Sequence, residues 1–194
     1  RMIRSLYLLP IGIALPIATI VWGLMLDPID GLLNAIIGVF GIPPQPFLIS
    51  EHQALWCIIG IATWKGVAFW MLFLLAGLED IPKQYYEAAS IDGAKTFDKF
   101  RFVTLPLLRR TILFVFVADT AANFVLMVPM IILTKGGPLQ STNVLVYEAY
   151  RSGFFYQDWG RSLSIVTILT TITLIVIGLQ LLFLGDSREG QKLK

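Results

Sequence analysis

Apolar residues in this chain gather into long stretches, and polar residues collect between them. Residues 5–26, between Arg4 and Asp27, carry no charge, and residues 52–78, between Glu51 and Glu79, carry only Lys65. Residues 111–134, between Arg110 and Lys135, carry only Asp119, in a span set at about 109–134. Residues 162–185, between Arg161 and Asp186, carry no charge. About 20 mostly apolar residues in a helix cross the hydrocarbon core of a bilayer. The pattern therefore predicts four spans. Residues 31–50 are also uncharged, but Pro43, Pro44 and Pro46 break them, and the freed backbone groups would need partners in lipid. Gly31 to Gly41 reads instead as a short helix lying in the membrane surface.

Composition agrees. The 194 residues are 56% hydrophobic and 14% charged, against about 25% charged in soluble domains. A net charge of +2 gives no reason to expect a nucleic-acid partner. The single cysteine, Cys57, has no intrachain disulfide partner and reads as a packing residue. The single histidine, His52, excludes a histidine-based metal or catalytic cluster, and there is no phosphate-cradling glycine–lysine loop to hydrolyse ATP. No catalytic residue, metal or cofactor is expected. An intramembrane enzyme would need paired acids or a nucleophile–base pair at depth, and the spans offer one Asp and one Lys.

Basic residues set the orientation. With four spans, Arg1, Arg4, the six basic residues between 79 and 110, and Arg188, Lys192 and Lys194 share one side, while Lys135, Arg151 and Arg161 face the other. Positive residues favour the cytoplasm. Both termini and the loop 79–108 are therefore predicted to be cytoplasmic, and the loops 27–51 and 135–161 to face outward. The chain 1–194 reads as one transmembrane domain.

The loop 79–108 has internal order. Pro82 suits a helix's first turn and Gly93 the position just past its end. Between them Tyr85, Ala88, Ala89 and Asp92 share one face. Thr96 is the expected N-cap of a second short helix bearing Phe97, Phe100 and Val103. The residue before Pro106 is pushed away from helical geometry, so a turn is expected at Leu105–Pro106. Small alanines let a partner's backbone approach closely. Glu87 and Asp92 either accept hydrogen bonds from that partner or hold the bend. Gly93 is expected in a conformation that a side chain would oppose.

Lys65 and Asp119 sit inside spans, where each charge costs at least about 2.5–3.5 kcal/mol. They are expected to pair with each other or with another subunit, or Lys65 lines a solute path. Asn123 shares a helix face with Asp119 one turn away. Pro10, Pro16 and Pro129 imply kinks. The loop 135–161, rich in Tyr, Phe and Trp, reads as an interfacial helix and aromatic belt.

Glu87-Ala88-Ala89, Asp92-Gly93-Ala94, Phe100 and Leu105-Pro106 resemble, in residue type and spacing, the signature loop of permease subunits of bacterial ATP-binding-cassette importers. Leu78, Ile81-Pro82, Trp64-Lys65-Gly66, Thr134, Gly136-Gly137-Pro138, Thr142, Leu145, Tyr150, Phe154 and Gly160 resemble the carbohydrate-uptake branch, of the maltose, glycerol-3-phosphate and oligosaccharide type. The resemblance covers nearly the whole chain. It implies an all-α polytopic bundle of the type I importer permease kind, in the cell inner membrane. It also implies a coupling helix at Tyr86–Ala94, seated in a groove on an ATPase subunit, with Phe100, Leu105 and Pro106 completing the contact. Implied partners are a second, non-identical permease subunit, two ATPase subunits, an extracytoplasmic solute-binding protein and membrane lipid. By the same resemblance Asn123 and Phe124 fall at a sugar-site position, and Trp64 and Phe69 are the analogous aromatics of the second span.

The implied function is ATP-driven import of a sugar or oligosaccharide by alternating access. The alternatives are import of a polyol or of a glycerol or sugar phosphate, and, in another class, a structural or assembly protein that holds ATPases without transport. Family members usually carry six or more spans. Matching outward from the loop, two N-terminal spans and the outer loop between them are expected to be missing from the sequence presented.

Overall fold

The computed structural model describes residues 9–185. The charges at Arg1, Arg4, Arg188, Lys192 and Lys194, and residues 5–8 of the first predicted span, lie outside them. Among the described residues there are helices, turns and no strand. The elements are α1 Leu15–Met25, α2 Leu32–Val39, α3 Ala54–Glu79, α4 Lys83–Ile91, α5 Thr96–Lys99, α6 Leu105–Phe124, α7 Leu145–Tyr150 and α8 Trp159–Gly185. Five-residue π-helical segments follow α5 and α7, and a third covers Met130–Thr134.

Among the described residues two helices are long and apolar enough to cross a membrane: α3, and Trp159–Phe183 of α8. Only 17% and 6% of their most apolar windows are buried. The core helix of a soluble protein would be mostly covered. Leu174, Leu182 and Phe183 on α8 and Trp56 on α3 are exposed instead, as lipid-facing side chains are.

The chain divides into two compact units, Arg1–Ala68 with Asn123–Ile172, and Phe69–Ala122 with Thr173–Lys194. The first is built around Ile58, Met130 and Tyr147, with Met127, Ile131, Val144 and Tyr150 packed against them. Its opening segment is not one helix. A 3-10 turn, Leu9–Gly12, ends at Ile13, and α1 starts with Pro16 in its first turn. Pro16 therefore opens a helix rather than kinking one: the first turn needs no N–H from it, and its fixed φ suits the start.

After α1 the chain enters a tight turn. The Asp27 carboxylate accepts the backbone N–H groups of Ile29 and Asp30 at 2.9 Å. The Asp30 N–H first, then that of Ile29, hold this carboxyl below the ordinary aspartate range. The expected short helix follows as α2. Asn34, nearly buried on it, donates to the carbonyls of Pro28 and Gln45 at 3.0 Å and accepts the Gln45 N–H at 2.8 Å. One amide thus ties the proline-rich return segment of the loop to α2. Asn34→Leu should lower stability by about 2–3 kcal/mol, because three backbone groups lose their partner together. Thermal unfolding of the purified variant in detergent checks this; an unchanged midpoint would remove Asn34 from that role.

The third apolar stretch is broken. Helix α6 ends at Phe124, Val125–Met127 leave helical geometry, and the helix resumes towards Thr134. The Leu126 N–H closes a turn onto the Asn123 carbonyl at 3.2 Å, and the Ile131 N–H reaches the Met127 carbonyl at 3.1 Å. Pro129 explains the break. It lacks the N–H that would continue the first helix, and it fits the opening turn of the second. The resumed helix ends at Lys135, which is left-handed at φ +49°.

In the second unit α3 and α6 lie against each other at Gly77. A Cβ there would stand 2.7 Å from Thr111 Oγ1 and 2.9 Å from Leu108 Cδ2. Phe73 and Phe114 continue the contact, with ring centroids 5.3 Å apart.

Candidate coupling surface and polar groups of the long helices

Helix α4 buries none of its residues among the described ones. Glu87 and Ala88 are exposed, Tyr86 and Ala89 are half-buried, and Ile91, just before the bend, is 88% exposed. A nine-residue helix that covers no apolar surface gains little from its own packing, so its order comes from its ends. At the C-terminal end the Ala94 N–H bonds the Ala89 carbonyl at 2.9 Å, and the Gly93 N–H bonds the Ser90 carbonyl at 3.1 Å. That pair of bonds is a Schellman closure. Gly93 sits at φ +78° with open space around the position of a Cβ. Glycine is therefore required by backbone conformation and not by crowding.

Side chains lock the bend. Lys99 Nζ donates to Ser90 Oγ at 2.7 Å, and Ser90 Oγ donates to the Tyr86 carbonyl at 2.7 Å. The Tyr86 hydroxyl meets Thr104 Oγ1 at 3.0 Å. The carboxylates of Glu87 and Asp92 make no hydrogen bond or ion pair among the described residues. Of the two roles open to them, holding the bend belongs to Ser90, Lys99 and Thr104. Sequence reading missed these three; a serine and a lysine flanking the glycine were the available signal.

Two local expectations are corrected. Lys95, not Thr96, is the residue before α5; its N–H is taken by the Asp98 carboxylate at 3.0 Å, so the cap is supplied from three residues ahead. Leu105–Pro106 makes no turn. Leu105 is helical at φ −63°, ψ −44°, and its N–H bonds the Phe100 carbonyl. The π-helical segment Phe100–Thr104 shifts the hydrogen-bond register one residue before the proline, which is how a helix passes a Pro unbroken. The backbone is helical from Thr96 to Phe124, with Phe100, Leu105 and Pro106 exposed along its first turns.

Lys65 and Asp119 have separate partners, each within its own unit. The Lys65 ammonium donates to the carbonyls of Pro10, of Ile11 at 3.3 Å and of Ile13 at 2.5 Å. These are carbonyls left over where the 3-10 turn stops, so the charge caps a broken helix. Asp119 accepts the Trp70 indole N–H at 2.5 Å. Trp64 packs edge-on against Trp22 at 5.6 Å, and Phe69 against Trp70 and Phe73. Asn123 and Phe124 end α6 where the backbone leaves the helix, with Asn123 exposed. Thr120, one position from Asp119, accepts from Gln180 Nε2 at 2.7 Å. Gln180 is the lone amide of the last apolar stretch, a signal that sequence reading passed over.

The loop 135–161 is tied at its mouth. Thr134 Oγ1 lies 2.7 Å from Thr142 Oγ1, and Thr142 donates to the Gly137 carbonyl at 2.8 Å. Beyond it Glu148 receives Asn143 Nδ2 at 2.8 Å and Arg161 Nη2 at 2.6 Å, with Arg151 Nη1 at 3.6 Å. Arg151 also reaches Gln140 and the Tyr156 hydroxyl. The Tyr156 bond is the main reason its guanidinium is held more firmly protonated than usual. Burial pushes the Tyr147 hydroxyl up, with the Arg151 charge opposing.

Membrane-length apolar helices, an internal proline break and an exposed helix–bend–helix loop describe a helical membrane protein. The chain belongs to the family of binding-protein-dependent transport system inner membrane components, whose profile matches residues 2–188. The family is one of transport components of the inner membrane. It is 35% identical over 181 residues to the sn-glycerol-3-phosphate transport system permease protein UgpA of Agrobacterium fabrum, covering 93% of this chain and 61% of the relative. It is 32% identical over 181 residues to the trehalose/maltose transport system permease protein MalF of Thermococcus litoralis, covering 92% and 61%. A bacterial transporter for import of the acidic polysaccharide alginate shares its fold at TM-score 0.82 and 19% identity, over 97% of this chain and 66% of that one. The same type of transporter, solved with an alginate pentasaccharide-bound periplasmic protein, matches at TM-score 0.75 and 23% identity, over 98% and 66%. The chain thus spans about three fifths of the length of these curated relatives.

Proposed function

We propose that the chain is the coupling and pathway-forming part of a permease subunit in an ATP-driven importer of a sugar or oligosaccharide. Spans near 5–26, 52–78, 109–134 and 162–185 form one transmembrane domain. The loop 79–108 is cytoplasmic, as are both ends of the sequence presented, and 27–51 and 135–161 face outward. A second, non-identical permease completes the pathway, two ATPase subunits hydrolyse ATP beneath it, and an extracytoplasmic binding protein delivers the solute. The observation that carries this reading is the bend at Gly93: the exposed helix α4 is closed there by backbone bonds, and Lys99 and Tyr86 pin it to the helical run that starts at Thr96 and continues into α6. Closure of the ATPases moves Tyr86, Glu87, Ala88, Ala89, Asp92 and Ala94, and the unbroken helix through Phe100, Leu105 and Pro106 carries the motion to its far end. This is gating by a partner that favours one of two states. Asn123, Phe124, Asp119, Trp64 and Phe69 are each candidates for contact with the solute. Lys65 belongs to the scaffold.

Ala88→Cys, paired in the intact complex with a cysteine introduced in the facing groove of the ATPase subunit, should form a bismaleimide cross-link between the two thiols, with a yield that changes when ATP is trapped. Labelling of the introduced thiol by a membrane-impermeant maleimide from the outside would overturn the orientation and the reading with it.

A second reading of the cargo is a glycerol or sugar phosphate, supported by the 35% identity to a permease named for sn-glycerol-3-phosphate. Competition by glycerol-3-phosphate against labelled oligosaccharide uptake separates the two.

A further inference from the structure

The outer loop holds a cavity that the import pathway does not account for. Its volume is about 310 Å³. Tyr147, Tyr150, Phe155 and Tyr156 supply its walls with Ile131, and Lys135 and Arg151 supply its charge. All of these residues belong to the first unit. The size suits a small polar group with a short stem, at the lower edge of ligand pockets.

Charge at the cavity is positive. Glu148 is divided among Arg161, Arg151 and Asn143, so it offsets only part of the two guanidiniums. Asp158 is taken up at the start of α8, where its carboxylate accepts the Arg161 N–H at 2.9 Å. Lys135 has no side-chain hydrogen bond or ion pair among the described residues. Its backbone is left-handed at φ +49°, a conformation that glycine would hold at less cost. The position caps the preceding helix with its N–H alone. Lysine's side chain contributes nothing to that cap and stands exposed at the cavity, with its ammonium available to an anion. The Arg151 guanidinium lies 5.5 Å from the Tyr156 ring centre, with Nη1 on Gln140 and Nη2 on the Tyr156 hydroxyl, so its remaining N–H groups are what it offers an anion. Phe154, Phe155 and Trp159 next to the cavity are exposed, as an interfacial belt is.

We propose that this cavity binds a phosphate ester, with Lys135 and Arg151 on the phosphate oxygens and the tyrosine rings against the organic stem. The group can be presented by a phospholipid head group or by a soluble phosphate ester; both offer the same oxyanion. The proposal holds whichever solute the importer carries.

The test uses the full-length permease purified in its complex. Native mass spectrometry counts phosphatidylglycerol retained from nanodiscs, and thermal shift follows titration with glycerol-1-phosphate. Lys135→Gln should reduce retention or raise the half-saturating concentration at least tenfold, and Lys135→Arg should restore most of it. Lys135→Gly should fold at least as stably as wild type, because the strain is relieved, and still lose binding. Loss confined to the lipid arm assigns the head group, and loss confined to the soluble arm assigns the free ester. Equal retention and equal thermal shift in wild type, Lys135→Gln and Lys135→Gly would overturn the proposal.

Discussion

Gly93→Val should cut solute uptake tenfold or more while leaving ATP hydrolysis in the complex largely intact. The helix α4 is closed by two backbone bonds that both depend on φ +78° at this position. A left-handed residue with a Cβ costs about 1–2 kcal/mol, and a β-branched one is a genuine outlier there. A shift of about 2 kcal/mol changes a two-state population about 30-fold. Because nothing lies within 4 Å of a Cβ at Gly93, crowding adds nothing, and the ranking follows backbone preference alone. Asn should be mildest, Ala intermediate and Val most severe. Uptake measured in proteoliposomes against ATP turnover reads the effect. Normal uptake by the valine variant would remove the bend from the coupling mechanism, and Ala and Val behaving alike would show that conformation is not what matters there.

Lys65→Met should reduce the stability of the fold by about 2–3 kcal/mol, yet leave transport per folded molecule close to normal. Two opposed effects set the size. Removing the charge recovers about 2.5–3.5 kcal/mol of insertion cost. Against that, hydrogen bonds from a charged donor contribute about 1.5–3 kcal/mol each, and Lys65 makes three, to the carbonyls of Pro10, Ile11 and Ile13. The remaining carbonyls would then lie at a helix break with no donor. Lys65→Arg keeps a cation and should recover part of the loss. Thermal unfolding in detergent measures stability, and initial uptake rate normalised to folded protein measures function. A stable variant with a changed solute preference would place Lys65 in the solute path instead of in the scaffold.

The loop 79–108 was legible because its signals are short-ranged. Pro82 and Gly93 bracket α4 from fixed positions at its two ends, where one residue lacks an N–H and the other has no Cβ. The same local logic misled at Pro106. A rule about the residue before proline assumes ordinary helical register, and the π-helical turn Phe100–Thr104 changes that register. The cap of α5 was misassigned for a related reason: Asp98 reaches back to the Lys95 N–H, and a carboxylate at that offset competes with a hydroxyl one residue later. Pro129 predicted a bend, but only the structure shows non-helical backbone at Val125–Met127 and Asn123 beside it.

Length, polarity and the placement of prolines and glycines along the chain were sufficient to establish an all-helical membrane protein, the helix ending at Gly93 and a short helix after Gly31. Each of those follows from the bonding of neighbouring backbone groups and from the cost of charge in lipid. Partners distant in sequence were not readable. Lys65 finds carbonyls more than 50 residues earlier, Asp119 finds an indole 49 residues earlier, and Gln180 finds Thr120 60 residues earlier. A buried polar group takes whichever donor or acceptor packing brings within about 3 Å, and that choice is made only when helices from distant parts of the chain come together.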